Sequence, residues 1–383
     1  MTEHVAVVGA GVFGAWTAHH LLQAGHRVTL IEAIGPAHSR ASSGGESRLT
    51  RGAYGRDEIY TCMAIDSLPD WRALSAGAGL PIFHSCGVLF SFPGEEPYLR
   101  DTLAVHCHLG LASEALRRPE MAARFPMFDF SGIEIGVFEP GFGALMARRA
   151  VQTLVERLVR AGANYVQGVV ETPDPAGALL EQLPLSSGEL VSADRFVFAL
   201  GPWLSKLFPH VVGPRIRVTR QEVFYFAPPV GDPSFQPAAM PCWADFNHGD
   251  MFYGLPDLEG RGVKFAHDLH GPEVDPDTQD RRPSFSALDE IIAFRDRRFP
   301  GLRGAVLTGA EVCQYENSSN GDFLIDFHPE LENALLVGGG SGHGFKHGPE
   351  VGRYAAARLF GSEITEPRFS LASKSETHRR EVR

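Results

Sequence analysis

The first 32 residues constrain the fold more than any other part of the chain. Residues 5–8 are a short run of apolar, mostly β-branched residues, which predicts a buried parallel strand. Three glycines follow at once in the spacing G-x-G-x-x-G, and residues 15–23 then show the periodicity of a helix that Gly25 ends. Residues 27–31 form a second apolar run that Glu32 closes. The order strand, glycine turn, helix, strand and acid predicts a βαβ unit.

Each position in this turn suits the binding of a dinucleotide. Gly9 permits the tight turn, Gly11 lets the backbone approach a pyrophosphate, and Gly14 allows close packing of helix and strand. The helix N-terminus supplies N–H groups to the phosphates, and Glu32 can accept hydrogen bonds from a ribose hydroxyl. An acid at this place argues against NADP, but the motif leaves NAD and FAD open. The residues predicted to hold the dinucleotide here are Gly9, Gly11, Val12, Phe13, Gly14 and Glu32.

Composition excludes several other classes of protein. The net charge of −11 argues against nucleic acid, and the basic cluster at Arg379 and Arg380 is interpreted as a frayed chain end. The five cysteines are scattered without a CxxC, so we expect neither a metal site nor disulfides, and a cytoplasmic location. No run of about 18 apolar residues or signal peptide is found, so we expect no membrane partner.

The region after Glu32 favours FAD over NAD. A nicotinamide dehydrogenase would continue with further βα units, whereas residues 37–51 are small, polar and rich in glycine. This stretch contains Ser42, Ser47, Arg48 and Arg51. It is either a solvated loop or a segment that lies along a flavin with its arginines turned inward, and the residues alone leave both open.

The nucleotide-binding domain is predicted to be discontinuous. Residues 151–161 read as a helix, 165–166 and 169–170 as strand, and 192–200 as a buried strand that ends at a turn with Gly201 and Trp203. We therefore predict an α/β protein with a Rossmann-type, glutathione-reductase-like FAD-binding domain of residues 1–73, 139–214 and 302–383. Residues 74–138 and 215–301 are predicted to form a second domain, an antiparallel sheet over the substrate.

A second glycine-dense turn lies near the C-terminus. Residues 334–337 read as a strand, 338–346 as a turn with five glycines, and 350–360 as the last helix. Such a turn is a second place where the backbone can approach a flat anionic ring. Packing alone does not explain so many glycines in one turn.

The chain resembles the monomeric sarcosine oxidase and N-methyltryptophan oxidase family, which includes pipecolate oxidases, nearly from end to end. Besides the N-terminal glycines, the resemblance is carried by residues 47–55 (SRLTRGAYG), 253–254 (YG), 262–264 (GVK), 312–315 (VCQY) and 341–346 (SGHGFK). The segments 47–55 and 341–346 are the most specific to this family.

The resemblance implies a role for each matching residue. It implies that Cys313 holds FAD through a thioether to the flavin 8α carbon, and that Lys264 lies near the flavin N5 side and promotes reaction with oxygen. Arg51 and Lys346 match the pair that binds the substrate carboxylate, and Tyr253 and Tyr315 would wall the pocket. Arg48 would assist flavin attachment. The further residues predicted to contact FAD are Ser42, Ser47, Arg48, Val170, Gly201, Trp203, Cys313, Gly342, His343, Gly344, Phe345 and Lys346.

Three positions depart from the family pattern. Gly44 and its neighbours stand where paired histidines are usual, Asp268 stands where a histidine is usual, and Glu316 replaces a threonine. Because these positions line or border the pocket in the family, sarcosine itself is a doubtful substrate. Acidic groups at 268 and 316 could meet a second, basic group on the substrate, or both could be exposed.

The sequence therefore predicts an FAD-dependent oxidase of a secondary amino acid, N-methyl or cyclic, which forms an imine and passes electrons to molecular oxygen to give hydrogen peroxide. Its expected partners are this small molecule and oxygen, in a monomer or weak homo-oligomer. Alternatives are a biosynthetic imino-acid oxidase that aromatises a ring and an amine dehydrogenase with another acceptor. A non-catalytic FAD-binding protein is disfavoured, because storing the cofactor requires none of Lys264, Arg51 and Lys346.

Overall fold

The computed structural model describes residues 2–173, 177–247, 250–361 and 365–378, so Arg379 and Arg380 lie outside the described residues. Its strands are β1 (His4–Val8), β2 (Arg27–Glu32), β3 (Arg48–Thr50), β4 (Phe83–His84), β5 (Val88–Phe92), β6 (Glu114–Arg117), β7 (Ile135–Glu139), β8 (Gly143–Leu145), β9 (Asn164–Gln167), β10 (Gln182–Pro184), β11 (Leu190–Ser192), β12 (Arg195–Phe198), β13 (Ile216–Phe226), β14 (Cys242–Asn247), β15 (Asp250–Leu255), β16 (Val263–His267), β17 (Leu307–Ser318), β18 (Leu324–Phe327) and β19 (Ala334–Gly338). Its helices are α1 (Val12–Gln23), α2 (Glu58–Ala76), α3 (Pro97–Leu109), α4 (Arg118–Arg124), α5 (Ala147–Arg160), α6 (Leu204–Leu207), α7 (Phe285–Arg298) and α8 (Gly348–Leu359).

A six-stranded sheet in the order β18-β19-β12-β1-β2-β9 forms the first layer. All neighbouring pairs are parallel except β18–β19. Strand β1 lies inside this sheet and is buried on both faces: Val5 and Val7 pack with α1 and α5, and Ala6 and Val8 pack into a second apolar cluster. The predicted parallel strand is therefore confirmed, and its discontinuous neighbours β12 and β19 come from distant parts of the chain.

The three predicted helices of this layer are present with shifted ends. Helix α1 begins at Val12 rather than at residue 15, because the last part of the glycine turn is itself helical. Helix α5 begins four residues before its predicted start at 151, and α8 begins two residues before 350. The strand predicted at 169–170 is reduced to a single bridge between Val170 and Leu185.

An eight-stranded sheet in the order β17-β13-β16-β15-β14-β5-β7-β6 forms the second layer. It is antiparallel except for the parallel pair β14–β5. Strand β17 belongs to this sheet through a long pairing with β13, although the range 302–383 was expected in the cofactor domain. The mixed α/β architecture agrees with the predicted fold class, and the exact domain bounds remain a proposal.

A small three-stranded sheet has the order β3-β8-β4. Strand β3 starts at Arg48 and pairs with β8, so the second half of the polar segment 42–51 belongs to this small sheet. None of the helices in the described ranges combines the length and the apolar composition that crossing a bilayer requires.

Candidate active site

Two cavities lie between the sheets. The larger has a volume of about 650 Å³ and runs from the β1–α1 turn to Cys313. The smaller has a volume of about 100 Å³ and lies against the eight-stranded sheet. The two share five lining residues, which are Arg48, Cys313, Tyr315, Gly342 and Phe345. A molecule in the larger cavity would therefore form part of the wall of the smaller one.

The glycine turn at the end of β1 has the geometry that its sequence predicts. Gly9 has φ +102°, and a Cβ there would lie 2.3 Å from the carbonyl oxygen of Ala199. A Cβ at Gly14 would lie 1.9 Å from the carbonyl oxygen of Gly9, so this position brings helix and turn together. At Gly11 the nearest atom would be Ser43 Oγ at 3.6 Å, and this glycine faces the larger cavity. A cofactor can therefore reach the backbone at Gly11.

Glu32 lies at the same end of the larger cavity. Its carboxylate accepts hydrogen bonds from the backbone N–H of Ala10 at 2.8 Å and of Ile34 at 3.2 Å. These bonds fix the carboxylate at the cavity wall, and each carboxylate oxygen can still accept another bond. This arrangement fits the ribose of a dinucleotide.

Fourteen of the predicted cofactor residues line the larger cavity: Gly9, Gly11, Val12, Phe13, Glu32, Ser42, Arg48, Val170, Gly201, Trp203, Cys313, Gly342, Gly344 and Phe345. Four do not. Gly14 packs behind the turn, and Ser47 is buried next to the cavity with its carbonyl engaged. His343 and Lys346 line the smaller cavity instead. A glycine cradle at one end and a wide glycine-rich end at the other fit an elongated cofactor such as FAD.

The cysteine expected to carry the cofactor lies where the two cavities meet. Cys313 is partly exposed, and its Sγ atom lies 3.6 Å from Nη2 of Arg48. The same guanidinium donates to the carbonyl oxygens of Ser42 at 2.6 Å and Ser47 at 2.8 Å. Arg48 is thus held by the polar segment in front of β3, with its charge beside the thiol.

Lys264 is fully buried, although the alternation in β16 leaves open a solvent-facing side chain. It is 1% exposed because β16 is covered on both faces. Its Nζ donates to the carbonyl oxygen of Ser47 at 2.8 Å, and burial, followed by the nearby charge of Arg48, lowers its pKa to about 7. The side chain lines neither cavity but lies directly behind the Arg48 segment.

Arg51 and Lys346, by contrast, both line the smaller cavity. The guanidinium carbon of Arg51 lies 4.0 Å from the centre of the Tyr54 ring, and Nη1 donates to the carbonyl oxygen of Ala53. The Nζ of Lys346 donates to Tyr54 Oη and to the carbonyl oxygen of His343, both at 2.8 Å. Burial, and then the charge of Arg51, hold the pKa of Lys346 well below its usual value. Two buried cations therefore converge around one tyrosine.

A buried carboxyl supports the turn that carries Arg51. Glu139 is fully buried, and its two oxygens accept from the backbone N–H of Gly52 at 3.2 and 3.1 Å. His106 Nε2 lies 3.3 Å from the same carboxyl group. Burial raises the pKa of Glu139 to about 7, although the Gly52 N–H and the charge of Arg51 oppose the shift. Glu139 thus places a titratable group directly beneath the two cations.

The remaining wall of the smaller cavity includes two tyrosines and two acids, Asp268 and Glu311. Tyr253 and Tyr315 both line it, and Tyr315 Oη donates to Asp268 Oδ1 at 3.4 Å. Burial raises the pKa of Tyr253 to about 12, so its hydroxyl stays protonated. Of the two acids expected near the substrate, only Asp268 lies in this wall. Glu316 lies in the wall of the larger cavity and is buried, which raises its pKa to about 8.

Several residues of the site could not be predicted from the sequence. The contacts of Tyr54 with Arg51 and Lys346 have no sequence signal, and His343, predicted to contact the cofactor, lines the smaller cavity. Nothing in the local sequence marks Phe90 and Met251 as cavity residues, because apolar residues in strands usually belong to the hydrophobic core. Glu139 and His106 also have no local sequence signal, because Glu139 ends β7 and His106 lies on α3, and only the assembled fold brings the two into contact beneath Arg51.

Comparison with known proteins identifies the family. The sequence profile of the FAD dependent oxidoreductase family, abbreviated DAO, matches residues 4–358. The chain belongs to this family. It is 32% identical over 355 residues to peroxisomal sarcosine oxidase of Mus musculus, covering 91% of this chain and 89% of that protein. It is 29% identical over 363 residues to monomeric sarcosine oxidase of Bacillus sp. (strain B-0618), covering 92% and 91% of the two chains.

The fold is shared with proteins of known structure that are more distant in sequence. The crystal structure of L-proline dehydrogenase from P. horikoshii superimposes with a TM-score of 0.84 at 19% identity and covers 97% of both chains. The protein is thus an FAD-dependent oxidoreductase of the DAO family, and the resemblance seen in its motifs is confirmed. Within the described residues, no group of three or more His, Cys, Asp or Glu side chains is placed to hold a metal ion.

Proposed function

We propose that this protein is an FAD-dependent oxidase of a secondary amino acid, N-methyl or cyclic, which converts the C–N bond to an imine and reduces oxygen to hydrogen peroxide. One observation carries the proposal. Arg51 and Lys346 present two buried cations in a small cavity whose wall is shared with the cofactor cavity. Sarcosine, in the names of two relatives, is an amino acid of this class.

The carboxylate of the substrate would be held by Arg51 and Lys346. The planar guanidinium suits a two-pronged contact with a carboxylate, and the ammonium adds a second charge. Both cations also disfavour a positive charge on the amine, so they assist the loss of its proton. The volume of about 100 Å³ and the walls formed by Phe90 and Met251 favour a small, partly apolar substituent. FAD, when bound, supplies the acceptor for the two electrons that leave the substrate.

Lys264 would provide the positive charge that assists reaction with oxygen. A preformed buried cation stabilises negative charge that develops nearby, and no solvent has to reorganise around it. Its position behind Arg48 is consistent with a role on the cofactor side rather than in substrate binding.

Cys313 would carry FAD covalently, with the guanidinium of Arg48 beside its sulfur. The support is the position of Sγ where the cavities meet and its 3.6 Å distance from the guanidinium. Acid precipitation tests this directly: a yellow pellet is expected from the wild type and a colourless pellet from Cys313→Ser. A colourless wild-type pellet would refute the covalent link but would not affect the rest of the proposal.

A cytoplasmic monomer or weak homo-oligomer is proposed from the remaining observations. All five cysteines are free thiols in the structure, which suits a reducing compartment. Small amino acids and oxygen are the proposed partners.

The decisive experiment is a screen for hydrogen peroxide release over N-methyl, cyclic and primary amino acids with purified holoprotein. We expect turnover with secondary amino acids and one peroxide for each substrate oxidised. Flavin bleaching without air and no peroxide in air would instead indicate a dehydrogenase. Two peroxides for each cyclic substrate would indicate the ring-aromatising alternative. No flavin bleaching with any secondary amino acid would refute the proposal.

A further inference from the structure

Two cysteines outside both cavities have their sulfur atoms in contact. The Sγ atoms of Cys86 and Cys242 lie 3.6 Å apart. Cys242 opens β14, and Cys86 lies two residues before β5, the parallel neighbour of β14. The backbone N–H of Cys242 donates to the carbonyl oxygen of Gly87 at 3.0 Å. The two backbone segments are therefore already adjacent, so shortening the contact to the S–S bond length of about 2.05 Å requires only local side-chain movement.

The two thiols differ in access to solvent. Cys86 is partly exposed and lines a surface cleft of about 520 Å³ with Phe125, Met127 and Phe138. Cys242 is fully buried in the sheet. The hydrogen bond between the two sulfurs lowers the pKa of Cys86, while burial raises the pKa of Cys242 well above its usual value. Cys86 is thus the thiol that a small oxidant reaches first, as a better nucleophile, and Cys242 is its buried neighbour.

We propose that Cys86 and Cys242 form a redox-active pair that a hydroperoxide oxidises to an intramolecular disulfide. The Cys86 thiolate attacks one peroxide oxygen, the O–O bond breaks, and Cys86 sulfenic acid and hydroxide form. The sulfur of Cys242 then attacks that of Cys86, an S–S bond replaces the S–O bond, and the released hydroxide takes up the Cys242 proton as water. The two sulfurs lose two electrons in total, and these reduce one hydrogen peroxide to two waters.

The position of the pair connects this chemistry to the smaller cavity. Ala244 lies two residues beyond Cys242 on β14, and Phe90 lies on the neighbouring strand β5; both side chains line that cavity. A disulfide would therefore join, by a covalent bond, the two strands that carry part of its wall. This inference goes beyond the proposed function, because any hydroperoxide of small size serves as the oxidant.

The test uses the purified holoprotein and added hydrogen peroxide, so it does not depend on the protein making peroxide. After quenching with catalase, the protein is unfolded in denaturant, its free thiols are alkylated with N-ethylmaleimide, and it is digested without reductant for mass spectrometry. We expect a cross-linked peptide containing Cys86 and Cys242, two hydrogens lighter than the separate peptides, which disappears on reduction. Cys107, which is exposed and remote in sequence, provides an internal measure of general oxidation.

A matched variant tests the order of the steps. In Cys242→Ser the cross-link cannot form, and dimedone should trap sulfenic acid at Cys86. The inference is overturned if both thiols of the wild type are recovered alkylated at a peroxide dose that oxidises Cys107. It is also overturned if Cys86 is found linked only to another cysteine or to a second molecule. The wild-type measurement decides the question even if the variant does not fold.

Discussion

Replacing Lys346 with methionine should weaken the binding of carboxylate ligands without weakening the fold. An ammonium group has three N–H donors, and two of those on Lys346 are used by Tyr54 Oη and the His343 carbonyl oxygen. One donor is left for a ligand carboxylate. A hydrogen bond to a charged group contributes about 1.5–3 kcal/mol, so its loss should raise the Kd about 10- to 150-fold.

The thermal stability of the same variant, unlike its affinity for carboxylates, should be preserved. Burial lowers the pKa of Lys346, which means that the fold disfavours its charged form and that this cost is present at neutral pH. Methionine has a similar volume and no charge, and removal of this cost offsets the loss of the two hydrogen bonds of Lys346, so the Tm of Lys346→Met should be close to that of the wild type. A lower affinity together with an undiminished Tm would separate a binding role from simple damage.

Lys264→Met is the matched control, because Lys264 is equally buried but lines neither cavity. Its Kd for a carboxylate should not change. The assay is an anaerobic titration of each holoprotein with a non-oxidisable carboxylate, followed by the change in flavin absorbance, beside thermal unfolding. An unchanged Kd in Lys346→Met, or an equal loss in both variants, would refute the assignment of the carboxylate site.

Three further predictions follow from burial and geometry. Because burial and Arg48 lower the pKa of Lys264 to about 7, the reoxidation of reduced flavin by oxygen, followed by stopped flow, should slow as pH rises through 7. In Lys264→Met reoxidation should be slow at every pH, while the rate of flavin reduction should not change. Gly9→Ala should destabilise the protein by at least about 2 kcal/mol in urea unfolding, since φ is positive and the Cβ overlaps a carbonyl, whereas Gly11→Ala should keep its stability and lose flavin absorbance. Burial raises the pKa of Glu139 from 4.5 to about 7, so the free energy of unfolding should fall by about 3 kcal/mol as pH rises from 4.5 to 7. In Glu139→Gln this pH dependence should be weaker. An equally steep pH profile in the variant would contradict the burial argument.

The parts of the fold that sequence predicted well are those with local signals. The order of β1, α1 and β2 could be predicted because glycine spacing, apolar runs and Glu32 lie within 32 consecutive residues. The place of strand β17 in the eight-stranded sheet could not be predicted, because its pairing with β13 joins residues about a hundred positions apart, such as Thr219 and Tyr315. Sequence periodicity carries no information on such distant partners.

The charged residues of the candidate site could be predicted from the sequence, but the buried environment that holds them in place could not. Arg51 and Lys346 could be named because they stand in motifs shared with the family. The burial of Lys264 could not be read from β16, since a lysine between apolar residues is equally typical of an exposed strand face. Glu139 supports Arg51 only because β7 and β8 pass beneath it, which is a property of the assembled sheets.

The wall shared by the two cavities divides the lining residues into those that affect both cofactor and substrate and those that affect the substrate alone. Five residues belong to both cavities, and substitution of any of them would disturb the cofactor as well as the substrate. Phe90, Ala244 and Met251 line only the smaller cavity, from strands β5, β14 and β15. Substrate preference can therefore be redesigned on one face of the eight-stranded sheet while the cofactor side is left as it is. A library restricted to these three positions should keep flavin content constant while the range of accepted amines changes.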